Sequence, residues 1–251
     1  MIRAIDHMVI LVDDLAAASA DYAALGFTVV PGGQHADGAS HNALVVFADD
    51  SYLELIAFLR PAPEHRWWRH QAVGTGLIDF ALLPSDTAED VAAARSRGLP
   101  LADPLPGGRL RPDGQRVAWQ IVTAPSADLP FLCGDVTPRE LRVPRGAARQ
   151  HANGVTGIAA VLVAAADPPA SAARYRALLG SDAPGPTFAL GGGAIVLADA
   201  RSDAAAERLA RRGEGPQALR LRTASVAHAG TLDVGRTRGV PIELVAAQES
   251  V

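Results

Sequence analysis

The stretch that decides the fold is AIDHMVILV, residues 4–12, an apolar strand that carries one histidine, His7. A second apolar stretch, YLELIA at residues 52–57, carries one glutamate, Glu54. Burying an ionisable side chain costs free energy unless a partner compensates it. The pair therefore has two interpretations. It is either a satisfied core histidine with an edge carboxylate, or two ligands of one divalent metal, since imidazole and carboxylate bind Zn, Fe, Ni and Mn.

The composition is that of a soluble globular protein with one or two domains: 251 residues, 49% hydrophobic and 20% charged, with a formal net charge of −4. All 23 basic residues are arginine and are scattered, which gives no sign of a nucleic-acid partner. The single cysteine, Cys133, rules out an internal disulfide and fits a reducing compartment. No signal peptide and no apolar run of about 18 residues is present, so a cytoplasmic location without a membrane partner is expected.

A pattern of strand and helix recurs along the chain, starting at residues 4, 76, 155 and 218. The first unit has the order β-α-β-β-β: its helix begins after Asp14 and ends at Gly26. The fourth unit is shorter, with a helix predicted between the strands at 218–223 and 240–245. Each unit has one sheet face that must be covered, so the units should pack in pairs.

Five stretches resemble the glyoxalase-like modules of the vicinal oxygen chelate superfamily, which includes bleomycin-resistance proteins and extradiol dioxygenases. They are IDHMVILVDDL (5–15), PGGQH (31–35), HNAL (41–44), SYLELIA (51–57) and HANGVTG (151–157). The last four resemble a bacterial branch whose members are mostly of unknown function. The resemblance implies an α+β fold in which paired βαβββ modules form open, barrel-like bowls.

The resemblance also implies which residues bind a metal. In the enzymes of this superfamily, a divalent metal in the bowl chelates two neighbouring oxygens of the substrate, and its ligands come from the first and last strands of the modules. By position, these ligands are His7, Glu54 and Asp79, although a shift of one residue would replace Asp79 by Ile78. Cys133 or a loop histidine is an alternative source of the third ligand.

The corresponding positions in the second half of the chain have almost no metal-ligating side chains. They hold Ala160 and Ala218, and only Glu243 has a ligand atom. We therefore predict an N-terminal glyoxalase-like domain at 1–137 with the active bowl. A junction at 138–153 and a degenerate C-terminal domain at 154–251 follow.

Four further side chains are predicted to contact a ligand in the bowl, namely His35, His41, Asn42 and Trp67. The alternatives are a glycine-rich turn around His35 and a loop-capping role for Asn42. Trp67 and Trp68 are adjacent and cannot face the same core, so one of them should form a wall of the bowl. His65 and His70 are predicted to be solvated, and Cys133 to be a small buried hydrophobe.

Two classes of function follow. The first is a metal-dependent lyase, isomerase or dioxygenase acting on a small oxygenated metabolite, with Fe, Zn, Ni or Mn as cofactor. His7 would then need an acceptor for its other ring nitrogen. Glu54 would be a ligand or a general base, with a pKa raised by burial. The second class is a metal-free protein of the bleomycin-resistance type that sequesters a small molecule. The expected partner is a small-molecule ligand, and a homodimer is left open.

Overall fold

The computed structural model describes residues 1–246 and confirms the α+β fold. The first unit has the predicted order of elements. They are β1 (Ala4–Leu11), α1 (Leu15–Ala24), β2 (Val30–His35), β3 (Ser40–Val46) and β4 (Tyr52–Phe58). Helix α1 begins after Asp14, whose carboxylate accepts hydrogen bonds from the backbone N–H groups of Ala16 and Ala17.

The second unit repeats this order. Its elements are β5 (Gly76–Leu83), α2 (Thr87–Ser96), β6 (Leu105–Leu110), β7 (Arg116–Val122) and β8 (Phe131–Asp135). A short 3₁₀ turn at Trp68–Ala72 joins the two units. Strand β6 was not predicted, because the run LPGGRL contains a proline and two glycines and has little apolar alternation.

The eight strands close into a barrel in the order β1-β4-β3-β2-β6-β7-β8-β5. Strand β1 is parallel to β4 and antiparallel to β5. Because side chains alternate along a strand, β1 sends Val9 and Leu11 into the barrel and Met8 and Ile10 outward into a larger core. The closed sheet therefore has an interior of its own, separate from the core that its helices cover.

After the barrel, a short helix α3 (Arg139–Arg142) leads into a smaller half of the molecule. Its elements are β9 (Val155–Ala164), α4 (Pro168–Leu179), β10 (Thr187–Leu190), β11 (Gly193–Leu197), α5 (Asp203–Arg212), β12 (Gly215–Thr223), β13 (Gly230–Thr231) and β14 (Ile242–Ala246). They form one six-stranded sheet in the order β10-β11-β9-β12-β14-β13. The hydrophobic core outside the barrel continues into this sheet, so one core contains residues of both halves. The predicted junction at 138–153 therefore stays a prediction.

The helix predicted between 223 and 240 is wrong. This segment contains a 3₁₀ turn at Val226–His228 and the two-residue strand β13, because glycines at 230, 235 and 239 interrupt it. The second helix of this half is α5, which precedes β12 and is amphipathic but has few strongly apolar residues. No helix within residues 1–246 is long and apolar enough to cross a membrane.

Candidate functional site in the barrel

The structure brings His7 and Glu54 together inside the barrel. Their strands are parallel neighbours, and the two side chains are 3% and 4% exposed. The Nε2 atom of His7 lies 3.5 Å from Oε2 of Glu54. Both residues line a cavity of about 200 Å³. The pairing of β1 with β4 thus places two ionisable groups side by side in the barrel interior.

Asp6 also points into the barrel, although it precedes His7 directly. Ile5 pairs with Leu82 and His7 with Ala81, so Asp6 is an extra residue in β1, a β-bulge. The bulge allows Oδ2 of Asp6 to lie 2.6 Å from Nδ1 of His7. Nδ1 is therefore paired with Asp6, and Nε2 faces Glu54. The acceptor predicted for His7 is its own neighbour in sequence.

Asp6 is in turn held by two arginines of α3. Arg142 is 1% exposed and contacts both oxygens of Asp6, at 2.6 and 3.1 Å. Arg139 lies 2.7 Å from Oδ1 of Asp6. Burial alone would raise the pKa of Asp6, but these guanidiniums and His7 hold it well below its usual value. This role could not be predicted from the sequence, because α3 lies in the predicted junction and has no apolar pattern.

Glu54 is surrounded by donors. The amide of Asn42 donates to its Oε1 at 2.6 Å, and Nε2 of His35 lies 3.4 Å from the same atom. Burial raises the pKa of Glu54, but His35, His7 and Asn42 outweigh burial and lower it to about 2. The expectation of a raised pKa is therefore wrong, because hydrogen bonds and nearby positive charge favour the ionised carboxylate more than burial disfavours it.

His35 lies beside the oxygen of Glu54 that His7 does not contact. It lies at the end of β2, and its Nδ1 is 2.9 Å from Oγ of Ser40. Both imidazoles thus have Nδ1 committed to a neighbour, while Nε2 faces the Glu54 carboxylate, each on a different oxygen. The cavity therefore contains a set of two imidazoles and one carboxylate, in which each imidazole lies within 3.5 Å of the carboxylate of Glu54.

The structure does not bring Asp79 to this set. Its Oδ2 accepts hydrogen bonds from Arg66 at 2.7 Å and from the indole N–H of Trp67 at 2.8 Å. Val9 pairs with Asp79 and Ile10 with Leu77, so Ile78 is an extra residue in β5. This bulge turns Ile78 into the barrel core and leaves Asp79 beside the neighbouring turn.

The other predicted ligand-contacting residues divide between two faces. Asn42 and Trp67 line the cavity with His35, whereas His41 lies on the outer face of β3, away from it. The neighbour of Trp67, Trp68, packs edge-on against Phe58 with 4.9 Å between ring centroids. One tryptophan therefore forms a wall of the cavity and the other packs outside it.

The sequence profile of a family described as a glyoxalase-like domain matches residues 5–179. The chain belongs to the glyoxalase-like domain family. The match covers the barrel and runs through α4 into the smaller half. Among curated proteins, none has a sequence that matches this chain significantly.

Solved structures share the glyoxalase-like fold at low sequence identity. A hypothetical protein from Staphylococcus aureus has a TM-score of 0.74 and 12% identity, over 97% of this chain and 99% of its own. A triple mutant of 4-hydroxymandelate synthase from Streptomyces coelicolor has a TM-score of 0.63 and 16% identity, over 92% and 77%. A xylose isomerase-like TIM barrel/4-hydroxyphenylpyruvate dioxygenase fusion protein has a TM-score of 0.57 and 16% identity, over 94% of this chain and 40% of its own. These likenesses show the fold alone.

The glyoxalase-like barrel also contains a compact group of three metal-ligating side chains. Asp6, His7 and Cys133 have ligand atoms within 4.8 Å of one another, the one such group in residues 1–246. Asp6 is already committed to its arginines and to Nδ1 of His7. Cys133 is buried, as predicted, and burial raises the pKa of its thiol to about 12. Of this group, Nε2 of His7 is the ligand atom that faces Glu54.

The remaining walls of the cavity are aromatic and cationic. Phe131 and Trp119 face the cavity, and Phe131 packs edge-on against His7 at 5.4 Å. Arg109 is 3% exposed and donates to the backbone carbonyl of Arg142, while its Nε has no partner within the described residues. Arg109 was not predicted as a site residue, because it lies in β6, whose sequence does not resemble a strand.

Two histidines outside this set differ from the predicted solvated state. His65 is half-buried and lines the cavity mouth, and His70 is 3% exposed. Burial and the nearby charges of Arg69, Arg208 and Arg212 lower the pKa of His70 to about 3. His70 is therefore a neutral histidine at physiological pH.

Proposed function

We propose that this protein is a divalent-metal-dependent enzyme that acts on a small oxygenated metabolite in the N-terminal barrel. One observation carries the proposal: the two imidazoles of His7 and His35 both commit Nδ1 to a neighbour and turn Nε2 toward the carboxylate of Glu54. Two histidines and one carboxylate are a donor set typical of Fe(II) enzymes that keep positions open for substrate.

The distance of each imidazole from Glu54 matches that between two ligands of one ion. The ligand atoms of His7, His35 and Glu54 do not all lie within 4.8 Å of one another, so the two rings would have to close around a bound ion. The two Nε2–oxygen distances are 3.4 and 3.5 Å, longer than a good hydrogen bond. Two ligands at about 2.1 Å from one ion at the tetrahedral angle are separated by about 3.4 Å. The contacts of Asp6 with His7 and of Ser40 with His35 are the outer partners that orient ligating imidazoles. The donor set therefore supports a metal held by His7, His35 and Glu54.

The protein groups have separable roles in this proposal. A bound divalent ion would supply Lewis-acid activation of two neighbouring substrate oxygens, or dioxygen chemistry if it is Fe(II). Glu54, with a pKa of about 2, is ionised at neutral pH and suits a ligand better than a proton acceptor. Arg109 offers a buried positive charge to an anionic oxygen of the substrate, and the aromatic walls exclude water.

The reaction class stays open between lyase, isomerase and dioxygenase. The names of two structural neighbours, 4-hydroxymandelate synthase and a 4-hydroxyphenylpyruvate dioxygenase fusion, make dioxygen chemistry the first assay to run. The cavity of about 200 Å³ restricts the substrate to a small molecule.

Metal analysis of protein purified without chelators or an immobilised-nickel step tests the proposal. We expect about one equivalent of Fe, Zn, Ni or Mn per chain, lost in His7→Ala and in His35→Ala. His41→Ala is the matched control, since His41 lies on the outer face of β3. Glu243→Gln is a second control, because Glu243 is exposed and paired with Arg220 at 2.9 Å.

A metal-free protein that sequesters a small molecule is the second candidate. It is favoured by the contacts of Glu54 within the protein, because its Oε1 accepts a hydrogen bond from Asn42 and both of its oxygens lie beside an imidazole. If the purified protein holds no metal and binds none of the four ions on addition, the enzyme proposal fails and this candidate replaces it.

A further inference from the structure

A second cavity lies between the barrel and the smaller half of the molecule. It has a volume of about 480 Å³, more than twice that of the barrel cavity, and shares no lining residue with it. One wall is the loop that leads into β5, residues 73–77, and the other is α5 with the start of β12. Three of its lining side chains are arginines from one helix, namely Arg208, Arg211 and Arg212.

Two of these arginines are held in place by neutral groups. Arg208 is 8% exposed and donates to the backbone carbonyls of Leu77 and Glu214, each at 3.3 Å. Arg212 donates to the carbonyls of Gly74, at 2.8 Å, and Thr75. Among the described residues, Nε of Arg208 and Nη1 of Arg212 have no hydrogen-bond partner. Both guanidiniums therefore keep unused donors in a largely desolvated place.

The charges around this cavity are unbalanced. The lining carboxylate, Glu207, is exposed and pairs with Arg211 at 3.2 Å. The nearby Asp79 is committed to Arg66. Burial and the neighbouring Arg212 lower the pKa of Arg208 to about 10, which leaves it charged at neutral pH. A buried cation without an anionic partner is costly, so a bound anion would stabilise this arrangement.

We propose that this cavity binds a small metabolite through a phosphate or carboxylate group, held by the guanidiniums of Arg208, Arg212 and Arg211. Guanidinium forks match the oxygen pairs of both anions. The buried Oε1 of Gln217 also lacks a partner within the described part of the chain and would accept a hydroxyl of the same ligand. Apolar side chains such as Leu77 and Val73 line the rest.

This site is independent of the function proposed for the barrel. Its ligand would join the loop before β5 to α5, and so the two halves of the molecule. A ligand that binds the folded state raises the apparent stability in proportion to the logarithm of its concentration above Kd. The site should therefore be detectable without an activity assay.

The test is a thermal-shift and calorimetric titration with inorganic phosphate and, separately, acetate, against potassium chloride at equal ionic strength. We expect saturable stabilisation by at least one of the two oxyanions. Arg212→Gln should weaken oxyanion binding by about tenfold for each charge-assisted hydrogen bond that the substitution removes. Arg201→Gln is the matched control, since Arg201 is an exposed arginine just before α5 and does not line the cavity.

Two results would overturn the proposal. One is a response to both oxyanions no larger than the response to chloride. The other is an unchanged affinity in Arg212→Gln. If that variant does not fold, Arg211→Gln decides in the same way, because Arg211 is exposed and its removal leaves the buried contacts intact. Weaker oxyanion binding in Arg211→Gln but not in Arg201→Gln supports the site, and equal binding in both contradicts it.

Discussion

Nδ1 of His7 lies 2.6 Å from Oδ2 of Asp6, the residue that directly precedes it in the same strand. Neighbouring strand residues normally point to opposite faces, and the β-bulge at Asp6 is what makes this contact available. The contact commits Nδ1 of His7 to Asp6 and leaves Nε2 facing Glu54. It also connects the candidate metal ligand to a buried charge network that ends in α3.

Asp6→Asn tests whether this contact orients His7. An amide is neutral and can donate to Nδ1 as well as accept from it, so the imidazole loses the anion that orients it. We expect a loss of metal affinity of about 10- to 100-fold, the usual effect of removing an outer partner of a ligating histidine. The measurement is competition with a metal-sensitive dye.

Asp135→Asn is the control for that experiment. Asp135 contacts Arg139 and Arg142, as Asp6 does, but it does not contact His7. Its substitution should reduce stability while leaving metal affinity within about threefold. Equal losses of affinity in both variants would show that the network acts on folding alone.

Arg142→Met should be strongly destabilising. It removes the fully buried guanidinium that contacts both oxygens of Asp6 and leaves that carboxylate inside the barrel. Breaking a buried pair from one side typically costs about 3–5 kcal/mol. Urea unfolding gives the free energy of unfolding. Arg139→Met is the comparison, because Arg139 also contacts Asp6 but is partly exposed, and a cost as large there would contradict this account.

His70 should make stability depend on pH above the range in which carboxylates titrate. Its pKa is about 3 in the folded protein and about 6.5 in the unfolded chain, so the unfolded chain binds the extra proton between these values. The stabilisation is fully present above pH 6.5. It is lost as the pH falls, by up to about 1.4 kcal/mol per unit.

Urea unfolding of His70→Gln between pH 7.5 and 5 measures this contribution. We expect a shallower decrease of stability than in the parent protein. The decrease of stability should not vanish, because burial also lowers the pKa values of His41, His65 and His151. His228→Gln changes an exposed histidine and should keep the parent slope. If the stability of His70→Gln falls with pH as steeply as that of the parent protein, His70 is not a buried neutral group.

The sequence predicts the fold well because strand and helix patterns are local. The apolar runs around His7 and Glu54, and the glycine after α1, are short-range signals that survive into the structure. Strand β6 was missed because its proline and two glycines interrupt strand periodicity. Helix α5 is amphipathic, but the repeat pattern placed the helix of the fourth unit after β12 and not before it. Both are placed by tertiary contacts that no local window contains.

The candidate site is only partly visible in the sequence for the same reason. Strand alternation places His7 and Glu54 on one face, but two bulges decide that Asp6 turns inward and Asp79 does not. A bulge shifts register by one residue and leaves no mark in composition. The arginine that holds Asp6 lies 136 residues away, in a segment with no apolar pattern.

Gly107→Ala should disturb the barrel cavity from its wall. Gly107 lies on β6 opposite Trp119 of β7, and both line the cavity. A Cβ at this position would overlap the indole nitrogen of Trp119 and lie 2.8 Å from its Cδ1. The indole must therefore move or the strands must separate, at a cost of about 1–3 kcal/mol. Urea unfolding and tryptophan fluorescence measure the two consequences.

Two further variants show whether that cost comes from the indole. Gly107→Ala combined with Trp119→Phe should recover part of the lost stability, because the smaller ring leaves space for the added methyl group. Gly185→Ala is the matched control, since a Cβ there would meet nothing within 4 Å, and it should change stability by less than about 0.5 kcal/mol. A double variant no more stable than Gly107→Ala alone would place the strain in the β6 backbone, and Trp119 would then not be the residue that requires a glycine at position 107.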